Sequence, residues 1–326
     1  MKVMRLRHLL LSLLVLLGSI SLPILSSEPS SALSGSDFKA GRIIDDGVFY
    51  NKDSMSANDI QRFLDAKVPT CDTWGTQPYG GTTRGDYARS RGYPPPFRCL
   101  KEYWENPTTK ENNLDGRPTP AGALSAAQII WNVGQQYSIN PQVLVVLLEK
   151  EQGLVRDDWP WTLQYRSATG YGCPDTAACD SRYYGFYNQV SNAARQFRRY
   201  ATYPYEYNFI PFANNFIQWN PNASCGGSNV YIENQATASL YNYTPYQPNQ
   251  AALNNLYGSG DGCSAYGNRN FWRLFNEWFG NGYTDPYTSS YVDQAPYPSV
   301  GPGQQATVYI TYKNIGSRSE EHTSEL

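Results

Sequence analysis

The stretch INPQVLVVLLEKEQGLV, Ile139 to Val155, holds six consecutive apolar residues, Val143 to Leu148, between a proline and a glycine. Asn140 is placed to cap a helix whose first position is Pro141, where a missing N–H costs nothing, and Gly153 is placed to end it. A helix this apolar must be packed against other elements. The neighbouring sequence supplies them. LSAAQIIWNVGQQYSIN opens with Ser125 and Gln128 in capping-box register and spaces Ile129, Ile130, Val133 and Tyr137 as a helix does. Further helices are expected over 188–201, 233–243, 249–257 and 269–279. The last of these, rich in Phe and Trp, is expected to close the core. The fold class expected is mainly α.

Around this body the chain is less regular. MSANDIQRFLDAKV, with Ser56 and Asp59 in capping-box register, predicts one amphipathic helix within an otherwise irregular region, 33–120. The helical domain spans 121–280. Pro, Gly, Ser and Tyr then dominate 281–304, which reads as a linker. Residues 305–317 alternate like a strand.

The first residues are basic, then apolar from Leu9 to Leu17, then small at Ser30 and Ala32, the pattern of a cleaved signal peptide over 1–32. An exported chain with an even number of cysteines is expected to form disulfides rather than a metal site. Cys71, Cys99, Cys173, Cys179, Cys225 and Cys263 allow several pairings; sequence order, 71–99, 173–179 and 225–263, is the one expected. The formal net charge of −2 gives no general footprint for nucleic acid. The expected location is secreted or cell-envelope associated, with no stable membrane insertion after signal cleavage.

Histidine restricts the chemistry. Only His8 and His322 occur. The first lies in the expected signal peptide. The second lies in RSEEHTSEL, Arg318 to Leu326, which resembles a translated sequencing adapter and is set aside, so that the natural protein is expected to continue past Ser317. Residues 33–317 therefore offer no Ser-His-Asp or Cys-His nucleophile and no His-ligated zinc. Carboxylates are left to carry any catalysis, with no cofactor and no metal expected. On the apolar helix, Leu144, Leu147, Leu148 and Glu151 share one stripe, while Glu149 faces elsewhere and is the nearest decoy. A carboxyl beside apolar neighbours at a helix C-terminus is suited to general-acid work. The plainer alternative is a glutamate turned to solvent.

Three segments in order resemble the lysozyme-like superfamily, in particular goose-type lysozymes and soluble lytic transglycosylases. The Pro141-to-Glu151 spacing matches the family's catalytic helix. YYGFYNQV, with Gly185 and Gln189, resembles its GLMQI segment, and ATASLYNYTPY sets Tyr241 and Asn242 on its Tyr-Asn pair. The chain departs from the pattern at Gln152, in lacking the GLMQ methionine, and in an insertion between the first two motifs. The resemblance implies a lysozyme-like helical domain that cleaves the MurNAc-GlcNAc bond of peptidoglycan as a lytic transglycosylase or muramidase. It makes Glu151 the acid and gives Tyr241, Asn242 and Gln189 contact with substrate. It also sets Tyr171 and Tyr184, with Trp159, Trp161, Tyr165 and Tyr183, where the family's sugar cleft lies. An inverting enzyme needs a base about 6.5–9.5 Å from the acid; Asp175 and Asp180 are the candidates, with turn formation as their plainer role. The strand at 305–317 resembles the start of an immunoglobulin-like module, a truncated β-sandwich. The alternative function is a non-catalytic protein that binds peptidoglycan or another cell-wall glycan.

Overall fold

The computed structural model of the chain describes residues 33–107, 121–174, 177–283, 289–295, 298, 300, 303 and 305–314. The chain divides into Met1–Ala32, which lies outside those residues with the expected signal peptide, and Leu33–Leu326, the body considered below.

The helices are α1 (Asp46–Phe49), α2 (Ala57–Lys67), α3 (Arg84–Ser90), α4 (Ala126–Tyr137), α5 (Pro141–Gln152), α6 (Thr162–Arg166), α7 (Phe186–Thr202), α8 (Gln235–Tyr243), α9 (Gln250–Asn254) and α10 (Gly267–Phe279). Antiparallel two-stranded ribbons lie between and after them: β1 (Pro78–Tyr79) with β2 (Thr82–Thr83), β3 (Trp104–Glu105) with β4 (Leu124–Ser125), β5 (Ala213–Gln218) with β6 (Gly227–Ile232), and β7 (Ser289–Gln294) with β8 (Ile310–Asn314). The body is mainly helical.

Helix α5 is its centre. Asn140 Oδ1 accepts the Gln142 N–H at 2.7 Å, and its Nδ2 donates to the Val48 carbonyl at 2.8 Å, so the cap also ties in the N-terminal segment. Every side chain from Val143 to Leu148 is buried. Each contributes about 1.5–3 kcal/mol when fully withdrawn from water. Helices α4 and α10 pack against α5, and α4 bridges to α2 and α7, which in turn carries α8. At Gly153 the chain takes φ 66°, a left-handed turn that a side chain resists.

Residues before α4 belong to the same core. Ile43, Ile44, Phe49, Ile60, Leu64 and Leu100 join the central cluster. Asp46 caps α8 from a distance, accepting the Ala236 N–H at 2.6 Å and the Gln235 N–H at 3.4 Å. Burial raises its carboxyl above the ordinary range, and those two N–H groups oppose the rise.

The disulfides are Cys71–Cys99, Cys173–Cys179 and Cys225–Cys263, the pairing in sequence order. The expectation of a β-sandwich is not met. Strand β8 pairs with β7, which falls inside the stretch read as a linker, and no second sheet packs on this ribbon among the described residues. Alternation at 305–317 reported a strand pattern, which a lone ribbon satisfies as well as a sandwich does. The tail from Arg318 lies outside the described residues. No helix among them is long and apolar enough to cross a membrane.

Candidate functional site

The two glutamates at the end of α5 part company. Glu149 is buried and faces the chain that leaves the helix: its carboxylate accepts the N–H groups of Val155 and Arg156, each at 3.1 Å, and pairs with Arg156 Nε at 2.7 Å. Its work is to fold the turn after Gly153. Glu151 keeps a quarter of its side chain exposed and is paired with Lys150, whose ammonium is almost wholly buried and also donates to Thr244 Oγ1 at 3.0 Å. A Cβ placed on Gly170 would lie 3.1 Å from Glu151 Oε2, so a glycine is what lets this loop run against the carboxylate.

Gly170 also forms the edge of a cleft of about 390 Å³. Tyr171, Tyr183, Tyr200, Tyr243 and Gln196 line it, with Gly172, Cys173 and Pro174. Tyr243 is partly buried, donates to the Thr169 carbonyl at 2.8 Å, and lies near the Glu151 charge. Burial first, and Glu151 second, push its hydroxyl well above the ordinary range, so that it stays protonated. Burial likewise raises Tyr171, against the pull of Arg195 and Arg199.

Gln189 builds this cleft from behind. Fully buried on α7, it accepts the Thr169 and Tyr171 N–H groups at 3.2 and 3.1 Å and donates to the carbonyls of Tyr171 and Tyr183 at 2.9 and 2.8 Å. One amide thus sets two loop segments that carry cleft tyrosines. The Cys173–Cys179 disulfide closes the same loop.

The other predicted site residues are dispersed. Tyr241 is wholly buried in the core, and its hydroxyl donates to the Ala40 carbonyl at 3.0 Å. Asn242 clamps Phe209, accepting its N–H and donating to its carbonyl. Tyr184 donates to the Cys179 carbonyl under the Arg166 guanidinium. Asp180 caps the turn at Ser181–Tyr183 and pairs with Arg182, whose hydrogen bond holds its carboxyl below the ordinary range. Asp175 lies outside the described residues. Of the aromatic residues grouped with the cleft, Tyr165 stacks on Tyr103 in the core, at 4.0 Å between ring centroids. Trp159 and Trp161 belong to a separate surface. There Tyr79 lies 5.2 Å from Trp159, Tyr93 stacks on Trp161 at 5.0 Å, and the Arg84 guanidinium covers Trp159.

Lys150, Gln196, Tyr200 and Tyr243 were not singled out by sequence reasoning. Tyr243 had a visible signal, standing two residues after Tyr241 in YNYTPY. A helix turns by about 100° per residue, so that short step moves the ring from the core to the cleft.

A model of the family described as LasA, N-terminal domain, matches residues 42–288. The chain belongs to the LasA N-terminal domain family. Comparison with curated proteins and with solved structures gives no match. The family match overturns the resemblance to lysozymes and lytic transglycosylases. The motifs that suggested it have local explanations: Pro141 to Glu151 is the length of one capped helix, Gln189 holds a loop, and Tyr241 packs in the core. The LasA match also runs unbroken from the N-terminal segment through α10, as the shared core does. It gives no support to an immunoglobulin-like module.

Proposed function

We propose that this chain is exported and acts at the bacterial cell wall, with the tyrosine cleft as its contact site for peptidoglycan. Membership of the LasA family, with its secreted, wall-directed members, supports the location and the partner. The observation that carries the reading is the cleft itself. Four tyrosines offer flat apolar faces for sugar or peptide groups together with polar hydroxyls, and the loop between them is fixed by Gln189 and a disulfide.

The purified chain should sediment with insoluble peptidoglycan. Tyr183→Ala should weaken that retention by about five- to tenfold, the loss of one stacked ring. Equal retention of the variant would place the contact elsewhere.

Cleavage is a second reading, favoured by the position of Glu151 behind Gly170 at the cleft edge. Residues 33–317 contain no histidine, so a wall-cleaving centre here would rest on carboxylate chemistry. Against it, Glu151 is an ion pair with Lys150 rather than a free carboxyl. Mass spectrometry of material released from peptidoglycan by the chain and by Glu151→Gln decides the matter: fragments released only by the unsubstituted chain establish cleavage, and none from either leaves binding.

A further inference from the structure

Arg195 lies on α7 directly before Gln196, which lines the cleft, and its guanidinium acts on the Tyr171 hydroxyl. It is only 6 % exposed, yet no carboxylate pairs with it among the described residues and its Nε has no hydrogen-bond partner. Its Nη2 donates to Asn192 Oδ1 at 3.2 Å. Withdrawing a guanidinium from water without an anion or a full set of acceptors is costly.

Other arginines show how the fold ordinarily meets that cost. Arg84 lies between Asp72 and Asp158, and Arg156 pairs with Glu149. Arg269, as buried as Arg195, donates to the carbonyls of Ala252, Asn255 and Gly258. Arg195 has neither solution. One turn further along α7, the exposed Arg199 also acts on the Tyr171 hydroxyl, and Tyr207 and Glu206 act on Arg199 in turn. Glu151, whose carboxylate lies against Gly170 of the cleft, is already matched by Lys150. Among the described residues, the Tyr171 edge therefore keeps Arg195 without a matching carboxylate.

We infer that the cleft takes a carboxylate-bearing ligand, its anionic group received by Arg195, Arg199 and the Tyr171 hydroxyl while its body lies against the tyrosines. Guanidinium groups bind carboxylates through charge-assisted hydrogen bonds of fixed geometry, and a protonated tyrosine adds a donor. This rests on the reading of the cleft as a peptidoglycan contact and names the part of the polymer it selects. Two sources carry that chemistry in the wall: the lactyl carboxylate of muramic acid where no stem peptide is attached to it, and the carboxylates of the stem peptide.

The test is calorimetric titration of the full purified chain with four probes: N-acetylmuramic acid, muramyl dipeptide, the same dipeptide with its carboxylate amidated, and neutral chitotriose. An acidic probe should bind at least about tenfold more tightly than the amidated and neutral ones, and weaken as salt is raised. Preference for N-acetylmuramic acid or for the dipeptide identifies the source. Arg199→Gln, at an exposed site that tolerates substitution, should lower affinity for the acidic probe several-fold, and Arg195→Gln by more. Equal binding of acidic and neutral probes, or unchanged affinity in both variants, overturns the inference. So does failure of every probe while the chain still sediments with peptidoglycan; loss of sedimentation as well would instead defeat the reading on which the inference rests.

Discussion

The rings around Tyr171 and the rings around Trp159 come from stretches of similar composition, rich in Tyr, Gly and disulfide-bonded Cys, but they are held in different ways. In the cleft, a buried side chain from α7 grips the loop backbone; Tyr171 and Tyr183 meet edge to face at 4.8 Å, and with Tyr200 and Tyr243 they line a cavity. On the Cys71–Cys99 surface the rings lean on each other, and the support is ionic: Arg84 joins Asp72 to Asp158, and the Asp72 N–H donates to the Asp158 carbonyl at 2.7 Å. The first arrangement keeps a concavity open. In the second, the rings pack on one another. Aromatic content therefore does not locate a binding site, whereas a framework that leaves a cavity beside its rings does.

The comparison is broken most severely at Gln189. Replacement by Ala should leave the backbone groups of Thr169, Tyr171 and Tyr183 short of partners and cost about 4 kcal/mol of stability, measured by denaturant unfolding. Because the lost bonds hold the cleft, retention on peptidoglycan should fall in step. A variant that keeps full stability and full retention would mean that the loop is set by its disulfide alone.

Replacing Cys71 and Cys99 together by Ser should cost about 3 kcal/mol, since the bond closes a long loop. Here the two regions should separate. Stability falls, while retention on peptidoglycan in the folded protein is unchanged, because the cleft hangs from α7 and not from this loop. Parallel loss of both would join the surfaces into one site.

Acid tests the ionic support of the same surface. Burial acts to raise the Asp72 carboxyl, but the N–H groups of Thr76 and Gln77, with Thr76 Oγ1 and Arg84, outweigh it and hold the group below its ordinary value of 3.8. A depressed folded pKa gives stability that is present above the unfolded value and lost as pH falls through the folded one. Asp72→Asn should cost about 1 kcal/mol at neutral pH, and its deficit should shrink as pH is lowered through that window. A deficit constant from neutral pH to below the window would remove the carboxylate from the account.

What the sequence disclosed follows from what is local. The caps at Ser56, Ser125 and Asn140, the stop at Gly153 and the apolar run of α5 are set by a few neighbouring residues, and each was readable. Tyr171 lines a cavity, while the sugar cleft for which it was named belonged to the resemblance that the family match overturned. Lys150 was hidden because its role depends on Thr244, far along the chain. Arg195 was hidden for the opposite reason: a basic run such as ARQFRRY ordinarily forms a solvated face, and only tertiary packing shows Arg195 buried with no carboxylate paired to it among the described residues. The resemblance to lysozymes failed because spacing records the length of a helix and says little about what lies opposite its end.

The smallest effect is the sharpest test of the difference between the two aromatic regions. Tyr79 is 44 % exposed, on a two-residue strand, and touches Tyr87 and Trp159 by its ring faces. Its removal leaves no buried polar group unpaired, so Tyr79→Ala should change stability by no more than about 0.5 kcal/mol. If the Trp159 surface only packs on itself, peptidoglycan retention should also be unchanged. A loss of retention with stability preserved would show that an exposed ring there meets ligand directly, and the contact site would then have to extend from the cleft to the Cys71–Cys99 loop.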